Sequence, residues 1–184
     1  MTNIPTFITG NQHKADYFSR QMGIDIPYQK VELDELQSTD LHVIVKHKLE
    51  QAYATVKRPV LVEDVSLSFT ALGELPGPYI KWFVEYAGEE ACCRMLDGFN
   101  DRRAVIRCTF GYYDGERMEF FDSELHGVIS ETPRGDNGFG FDKFFINDGY
   151  EITRAEMTQE ENERTYAELM KPFAKVRNFL KSIV

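Results

Sequence analysis

The fold can be worked out from the stretch Phe7-Ile8-Thr9-Gly10-Asn11-Gln12-His13-Lys14, in which a short apolar run meets a polar turn that contains glycine. This pattern predicts a strand, a turn and an amphipathic helix that begins directly after the turn. The first turn of a helix presents unpaired backbone N–H groups and the positive end of the helix dipole, which together bind phosphate. Two interpretations follow: an ordinary helix cap at Asn11, or a phosphate site to which Lys14 adds a positive charge.

Strands and helices alternate along the chain. The spacing of apolar residues predicts helices over 15–22, 41–56 and 89–96 and strands over 26–33 and 60–62. Runs over 103–113 and 116–125 predict a hairpin that turns at Asp114-Gly115, and residues 127–129 continue the sheet. A glycine-rich loop over 135–140 precedes an apolar run at 144–146, and the residues from about 158 to 183 are predicted as helix, interrupted at Pro172. This order predicts an α/β fold, a mixed β-sheet flanked by helices, in a single domain over residues 1–184.

Composition predicts a soluble cytoplasmic protein. Its 184 residues are 42% hydrophobic, which suits one globular domain, and no membrane span or secretory signal is recognisable. The net charge of −9 repels a nucleic-acid backbone, so binding to DNA or RNA is not expected. The cysteines (Cys92, Cys93 and Cys108) have no metal-ligand spacing and are expected to be reduced thiols.

The pair Glu63-Asp64 directly follows the wholly apolar run Val60-Leu61-Val62. Carboxylates at the end of a buried strand lie where ligands gather in α/β proteins, and hard oxygen ligands suit Mg²⁺. Because successive strand residues face opposite sides, only one of the two should point towards a ligand. A solvated strand end is the alternative interpretation.

Three further charged residues are candidates for a binding site, each with an ordinary alternative. Glu35 follows the second predicted strand among other acidic residues, so it is either a metal ligand or part of an exposed turn. Lys48 and Lys81 lie among apolar or aromatic residues, so each either reaches into a pocket or keeps its ammonium group in water.

The stretch Gly138-Phe139-Gly140-Phe141-Asp142 combines aromatic rings, flexible backbone and an acceptor carboxylate. Such a stretch can stack against a nucleobase and accept hydrogen bonds from it. A glycine-rich turn with no ligand would have the same composition.

Five motifs follow one another along the chain. They are Thr9-Gly10-Asn11-x-x-Lys14, Leu61-Val62-Glu63-Asp64, Leu75-Pro76-Gly77-Pro78-Tyr79-Ile80-Lys81-Trp82-Phe83, Gly138-Phe139-Gly140-Phe141-Asp142 and Ala155-Glu156-Met157. In this order they resemble the inosine triphosphate pyrophosphatase family, which removes non-standard purine nucleotides. The resemblance extends from about Phe7 to Met157, and its third motif is long and unusual.

The resemblance implies an elongated sheet with two lobes around a central cleft, and a homodimer. It also implies hydrolysis of ITP, dITP or XTP to the monophosphate and pyrophosphate, with Mg²⁺ as cofactor. Residue by residue, it implies that Glu35 and Asp64 serve the metal and that Asp64 also accepts a proton from the attacking water. The substrate-binding residues that it implies are Thr9, Gly10, Asn11, Gln12, His13 and Lys14 at the triphosphate, Lys48 and Lys81, and Phe139, Gly140, Phe141 and Asp142 at the base.

The chain departs from the family near its last helix. Family members usually carry a lysine and then Ser-His-Arg there, which read the 6-oxo edge of the purine. Here Asn162 takes the place of the lysine and Tyr166-Ala167-Glu168 that of the triplet, and Arg164 is a candidate substitute from another helical phase. The Asp-Pro pair that family members carry after the glycine loop is Asp142-Lys143.

Two alternatives to a pyrophosphatase for non-standard purines therefore stand. One keeps the chemistry and changes or relaxes the preference for the base. The other is a nucleotide-binding regulator without turnover, against which the retention of Lys14, Glu35, Asp64 and Lys81 argues.

Overall fold

The computed structural model describes residues 4–183, which form an α/β fold. Within that range the strands are β1 (Thr6–Ile8), β2 (Tyr28–Gln29), β3 (Val60–Phe69), β4 (Pro76–Gly77), β5 (Arg103–Tyr113), β6 (Met118–Ile129) and β7 (Phe145–Asn147). The helices are α1 (Gln12–Met22), α2 (Leu41–Val56), α3 (Ile80–Trp82), α4 (Glu89–Arg94), α5 (Gln159–Thr165) and α6 (Phe173–Ile183). The sheet has the order β2-β1-β3-β5-β6-β7, with β4 paired to β3. Parallel pairs at β1 and antiparallel pairs at β4 and β7 confirm the predicted mixed sheet.

The predicted strand, turn and helix at the start of the chain are confirmed. Strand β1 is buried and runs parallel to both β2 and β3. The prediction of a strand over 26–33 is wrong for most of its length, since only Tyr28 and Gln29 are paired. Strand β1 ends at Ile8, opposite Gln29, so the later residues have no β1 backbone left to pair with.

The prediction that the strand beginning at Val60 ends at Val62 is also wrong. Strand β3 continues through Glu63 and Asp64 to Phe69, and its far end pairs with β4. Carboxylates lie inside this strand because lysines from other elements neutralise them, as described below. Glu63 and Asp64 therefore lie inside a strand, with further strand residues before and after them, rather than at its end.

Local sequence signals set the bounds of helix α2 and of the hairpin. Helix α2 spans the predicted residues 41–56, and the Asp40 side chain caps it by accepting from the His42 N–H at 2.8 Å. The turn at Asp114-Gly115 joins β5 to β6 as predicted. Strand β6 runs unbroken to Ile129 and so unites two segments that the sequence pattern separated.

The remaining helices follow the sequence less closely. Helix α4 ends at Arg94, two residues before the predicted end at residue 96. The predicted interruption at Pro172 is confirmed, because α6 begins at Phe173. No helix within residues 4–183 is long and apolar enough to cross a membrane.

The chain divides into two compact units, each assembled from separated segments. Unit 1 contains the described residues up to Asp64, Cys108–Asp122 and the described residues from Lys171 onward. Its buried residues include Val45, Leu49 and Val62. Unit 2 contains Val65–Arg107 and Ser123–Met170 and has its own buried cluster. The single domain over 1–184 remains a prediction.

Candidate active site

The turn between β1 and α1 is a well-formed helix N-terminus in unit 1. Asn11 caps α1, because its side-chain oxygen accepts from the Lys14 N–H at 3.2 Å. Thr9 braces the cap by accepting from the Asn11 N–H at 3.2 Å. Gly10, Gln12 and His13 are exposed. The turn therefore presents an exposed helix start, the kind of site that favours an anion.

Glu63 is buried between two lysines. Its side chain is 3% exposed, and one carboxylate oxygen lies 3.0 Å from Lys14 Nζ while the other contacts Lys171 Nζ. Burial by itself would raise the pKa of Glu63, but the charges and hydrogen bonds of Lys14 and Lys171 lower that pKa to about 2. Glu63 is therefore a carboxylate whose two oxygens are both engaged.

Asp64 faces the other side of β3 and pairs with a different lysine. Lys48, from helix α2, places Nζ 2.5 Å from Asp64 Oδ2. The two side chains are 19% and 17% exposed, so this pair remains in contact with solvent. The alternation of Glu63 and Asp64 is as the strand period requires. Lys48 thus directs its ammonium group at a carboxylate.

Glu35 is an exposed loop residue of unit 1. It lies in the exposed stretch 34–37, outside any regular element. The described residues contain no group of three or more His, Cys, Asp or Glu side chains arranged to hold a metal ion. The pairing of Glu35 with Asp64 at a metal remains a prediction.

In unit 2, Lys81 is an exposed residue of the short helix α3. Its Nζ lies 5.0 Å from the centre of the Trp82 ring, a cation–π distance. The structure therefore places this ammonium group at the surface of unit 2, where a ligand can reach it.

The stretch from Phe139 to Asp142 presents one ring and buries one carboxylate. Phe139 is 72% exposed, whereas Asp142 is 6% exposed. Asp142 Oδ2 accepts from the Phe139 N–H at 3.1 Å, and Oδ1 accepts from Arg154 Nε at 2.8 Å. Gly138 must be glycine here, since its φ is +75° and an added Cβ would lie 2.4 Å from Asp142 Oδ2. The exposed ring of Phe139 is thus held on a fixed turn.

Arg154 organises the residues around Asp142. Its side chain is fully buried, and Nη2 donates to Asn162 Oδ1 at 2.7 Å. The Thr165 hydroxyl is a third acceptor, 3.4 Å from Nη1. Asn162, which stands where the family lysine was expected, is therefore bound to a buried guanidinium. Arg164 instead lies at the surface, 3.5 Å from Glu168.

A profile of the Ham1 family matches residues 5–169. The chain belongs to the Ham1 family. Inosine triphosphate pyrophosphatase 2 of Trypanosoma cruzi is 41% identical over 163 residues, which cover 86% of this chain and 83% of that protein. The inosine triphosphate pyrophosphatase of Schizosaccharomyces pombe is 37% identical over 180 residues, 96% of this chain and 94% of that one. The predicted family is thereby confirmed.

Solved structures of the Ham1 family share the fold. The Staphylococcus aureus Ham1 protein superposes with a TM-score of 0.83 over 96% of this chain and 97% of that chain, at 21% identity. At so low an identity the likeness bears on the fold alone. It agrees with the α/β class and mixed sheet described above.

Sequence reasoning about this Ham1 chain missed two buried cations. They are Lys171, which directly precedes Pro172, and Arg154, which directly precedes the motif Ala155-Glu156-Met157. A basic residue directly before a motif or a helix-breaking proline is ordinary, so no local signal marks either as buried. Only the acidic partners, Glu63 and Asp142, identify them.

Proposed function

We propose that this chain is a pyrophosphatase that hydrolyses non-standard purine nucleoside triphosphates such as ITP, dITP and XTP to the monophosphate and pyrophosphate. The observation that supports it best is the set of lysine–carboxylate pairs on β3, formed by Glu63 with Lys14 and by Asp64 with Lys48. Lys14 belongs to the exposed start of α1, so a phosphate chain at that helix would meet both the dipole and an ammonium group. Relatives named inosine triphosphate pyrophosphatases, 37–41% identical over most of both chains, support the substrate class.

Asp64 is the proposed proton acceptor. A water oxygen attacks the α-phosphorus while its proton passes to the Asp64 carboxylate. The bond from the α-phosphorus to the oxygen that bridges to the β-phosphorus breaks, and its electron pair leaves with pyrophosphate. Lys48, bonded to one carboxylate oxygen at 2.5 Å, fixes the orientation of Asp64 for this transfer. Lys14 meets the negative charge that grows on the leaving group.

Mg²⁺ is the proposed cofactor, with Asp64 and Glu35 as its protein ligands. Carboxylate oxygens are the donors that Mg²⁺ prefers, and it commonly takes only one or two from the protein and the rest from phosphates and water. When bound, the ion supplies positive charge at the phosphates. A chelator should therefore abolish turnover, and added Mg²⁺ should restore it.

Phe139 is the proposed platform for the base. Its ring is largely exposed on a turn that Asp142 and Arg154 hold, as a surface that stacks on a flat ligand requires. Lys81, Gly140 and Phe141 complete the proposed substrate contacts of unit 2. The proposal also includes a homodimer in the cytoplasm, acting as one functional domain.

A second candidate function is the same hydrolysis with a changed or relaxed preference for the base. It is favoured by Asn162 and by Tyr166-Ala167-Glu168 at the positions where family members read the purine edge. Because Arg154 is fully buried, its charge is not placed to contact the base directly. The two candidates differ only in their ranking of substrates.

Product analysis with Mg²⁺ across a panel of nucleoside triphosphates tests both candidates. Pyrophosphate and monophosphate released from ITP much faster than from ATP is the result expected for the first. Equal rates on all bases would favour the second, and orthophosphate as the product would contradict both.

The role of Asp64 is tested with Asp64→Asn beside the exposed control Asp25→Asn. An amide cannot accept the proton, so kcat should fall by about 10²–10⁴-fold while the control stays active. Circular dichroism and the thermal midpoint report whether each variant is folded. A folded Asp64→Asn variant with ordinary kcat would remove this residue from the mechanism.

A further inference from the structure

One buried carboxylate in unit 1 is shared by two lysines of very different exposure. Glu63 contacts Lys14, whose side chain is 38% exposed, and Lys171, whose side chain is 2% exposed. Lys171 Nζ also lies 3.6 Å from Cys108 Sγ. Burial raises the pKa of Cys108 to about 12, so the thiol adds no negative charge. The group therefore carries two positive charges and one negative charge.

The two lysines have different freedom to leave the carboxylate. Moving Lys171 away would strand a buried ammonium group, which costs several kcal/mol. Lys171 directly precedes Pro172, which restricts the backbone conformation of the residue before it, and α6 begins at the next residue, Phe173. Lys14 lies on the first turn of α1, and its partly exposed side chain can move into solvent without its own ammonium group being buried unpaired.

Whether Lys14 can turn towards a phosphate depends on whether another cation remains beside Glu63. If Lys14 were the sole cation there, turning towards a phosphate would leave a buried carboxylate unpaired, at a similar cost of several kcal/mol. With Lys171 in place, Glu63 keeps a buried partner after Lys14 has moved. The ammonium group of Lys14 then adds its full charge to the exposed start of α1.

We propose that Lys171 is a positioning residue that keeps Glu63 neutralised and so frees Lys14 to bind the triphosphate. This inference rests on the proposed function, because it takes the anion at α1 to be the phosphate chain of the substrate. Lys171 itself does not touch substrate in this scheme. Its effect passes through Glu63 to Lys14.

Binding of inorganic tripolyphosphate, measured by calorimetry, tests the proposal without requiring turnover. In Lys171→Met the side-chain volume is kept and Glu63 retains Lys14, so the protein should fold. Tripolyphosphate should bind about 10- to 100-fold more weakly, because Lys14 is now committed to Glu63. The matched control is Lys175→Met, which removes an exposed lysine of α6 that donates to the Asp122 carbonyl.

The double variant Lys171→Met/Glu63→Gln separates positioning from a merely structural role. It removes the buried carboxylate together with its buried partner, so Lys14 is free again and tripolyphosphate affinity should recover. If Lys171→Met lowers the thermal midpoint but leaves affinity unchanged, Lys171 is only structural. If affinity falls and the double variant does not recover it, the route through Glu63 is wrong.

With ITP as substrate, Lys171→Met should raise KM and also lower kcat, since Lys14 contacts the phosphates of the bound substrate and meets the charge that grows on the leaving group, whereas the control and the double variant should stay close to the parent. A fall in kcat alone would contradict the proposal. Failure of the proposed function is read separately, from the products that the unmodified chain releases. Tripolyphosphate affinity remains informative in that case.

Discussion

Replacing Arg154 with methionine should destabilise unit 2 strongly, because it strands a buried carboxylate. Arg154 is fully buried, and Nε donates to Asp142 Oδ1 at 2.8 Å. Breaking a buried ion pair by removing one partner typically costs about 3–5 kcal/mol. The loss of the 2.7 Å hydrogen bond to Asn162 acts in the same direction. For a chain of this size that cost corresponds to a fall of about 6–20 °C in the thermal midpoint.

Urea unfolding followed by circular dichroism, together with calorimetry, measures this change in the free energy of unfolding. Arg134→Met is the matched control, since Arg134 forms a solvent-exposed ion pair with Glu156 at 3.3 Å. Such a pair contributes about 0–1 kcal/mol, so the control should unfold almost as the parent does. Both variants lose an arginine, so the difference between their free energies of unfolding reports the effect of losing a buried charge rather than an exposed one.

The double variant Arg154→Met/Asp142→Asn should recover part of the lost stability. The amide oxygen that replaces the Asp142 carboxylate can still accept from the Phe139 N–H, while no carboxylate is left buried without a partner. A coupling energy of about 0.5–3 kcal/mol in favour of the double variant is expected. The ion-pair reasoning is refuted if the free energy of unfolding of Arg154→Met lies within about 1 kcal/mol of the parent value. It is also refuted if the effects of the two substitutions on that free energy are additive.

Three further outcomes are expected. Gly135→Ala should destabilise the protein by more than about 1 kcal/mol in urea unfolding, because the glycine has a φ of +86° and its Cβ would lie 2.3 Å from the Ala155 backbone carbon; an unchanged midpoint would contradict this. The three cysteines are buried, and burial raises the pKa of Cys108 to about 12, so thiol reagents at pH 8 should label them only after denaturation; fast labelling of the native protein would count against it. The pKa of Glu63 is lowered from 4.5 to about 2, so its contribution to the free energy of unfolding is present above pH 4.5 and is lost between about pH 4.5 and 2. Glu63→Gln should therefore flatten the pH dependence of the free energy of unfolding in that window. A variant with the same pH dependence as the parent would exclude Glu63 as the source of that dependence.

Signals local in sequence predicted the elements that local chemistry controls. The bounds of α2, the turn at Asp114-Gly115 and the interruption before α6 were all predictable, since a capping side chain, a turn dipeptide and a proline act within a few residues. The strand over 26–33 failed for the converse reason. Strand length depends on how much backbone the neighbouring strand offers, and β1 ends at Ile8.

The candidate site divides in the same way. Lys14 and Asp64 could be named from motifs and Lys48 from its apolar neighbours, but the sequence placed Glu63 and Asp64 at a strand end, whereas β3 runs through both. The motifs give residue types in order along the chain, but they do not show which residues contact one another in the fold. Lys48 pairs with Asp64, and Glu63 is shared, only in the folded chain.

The sequence by itself determined the fold class, the family and the residues at the start of α1, because periodicity, caps and motifs are properties of neighbouring residues. The tertiary structure alone decided which charges are buried. Lys171 meets Glu63 across 108 residues of chain, and Arg154 meets Asp142 across 12. A buried charge is stable only when an opposite charge reaches it, and that condition is met in space rather than along the sequence.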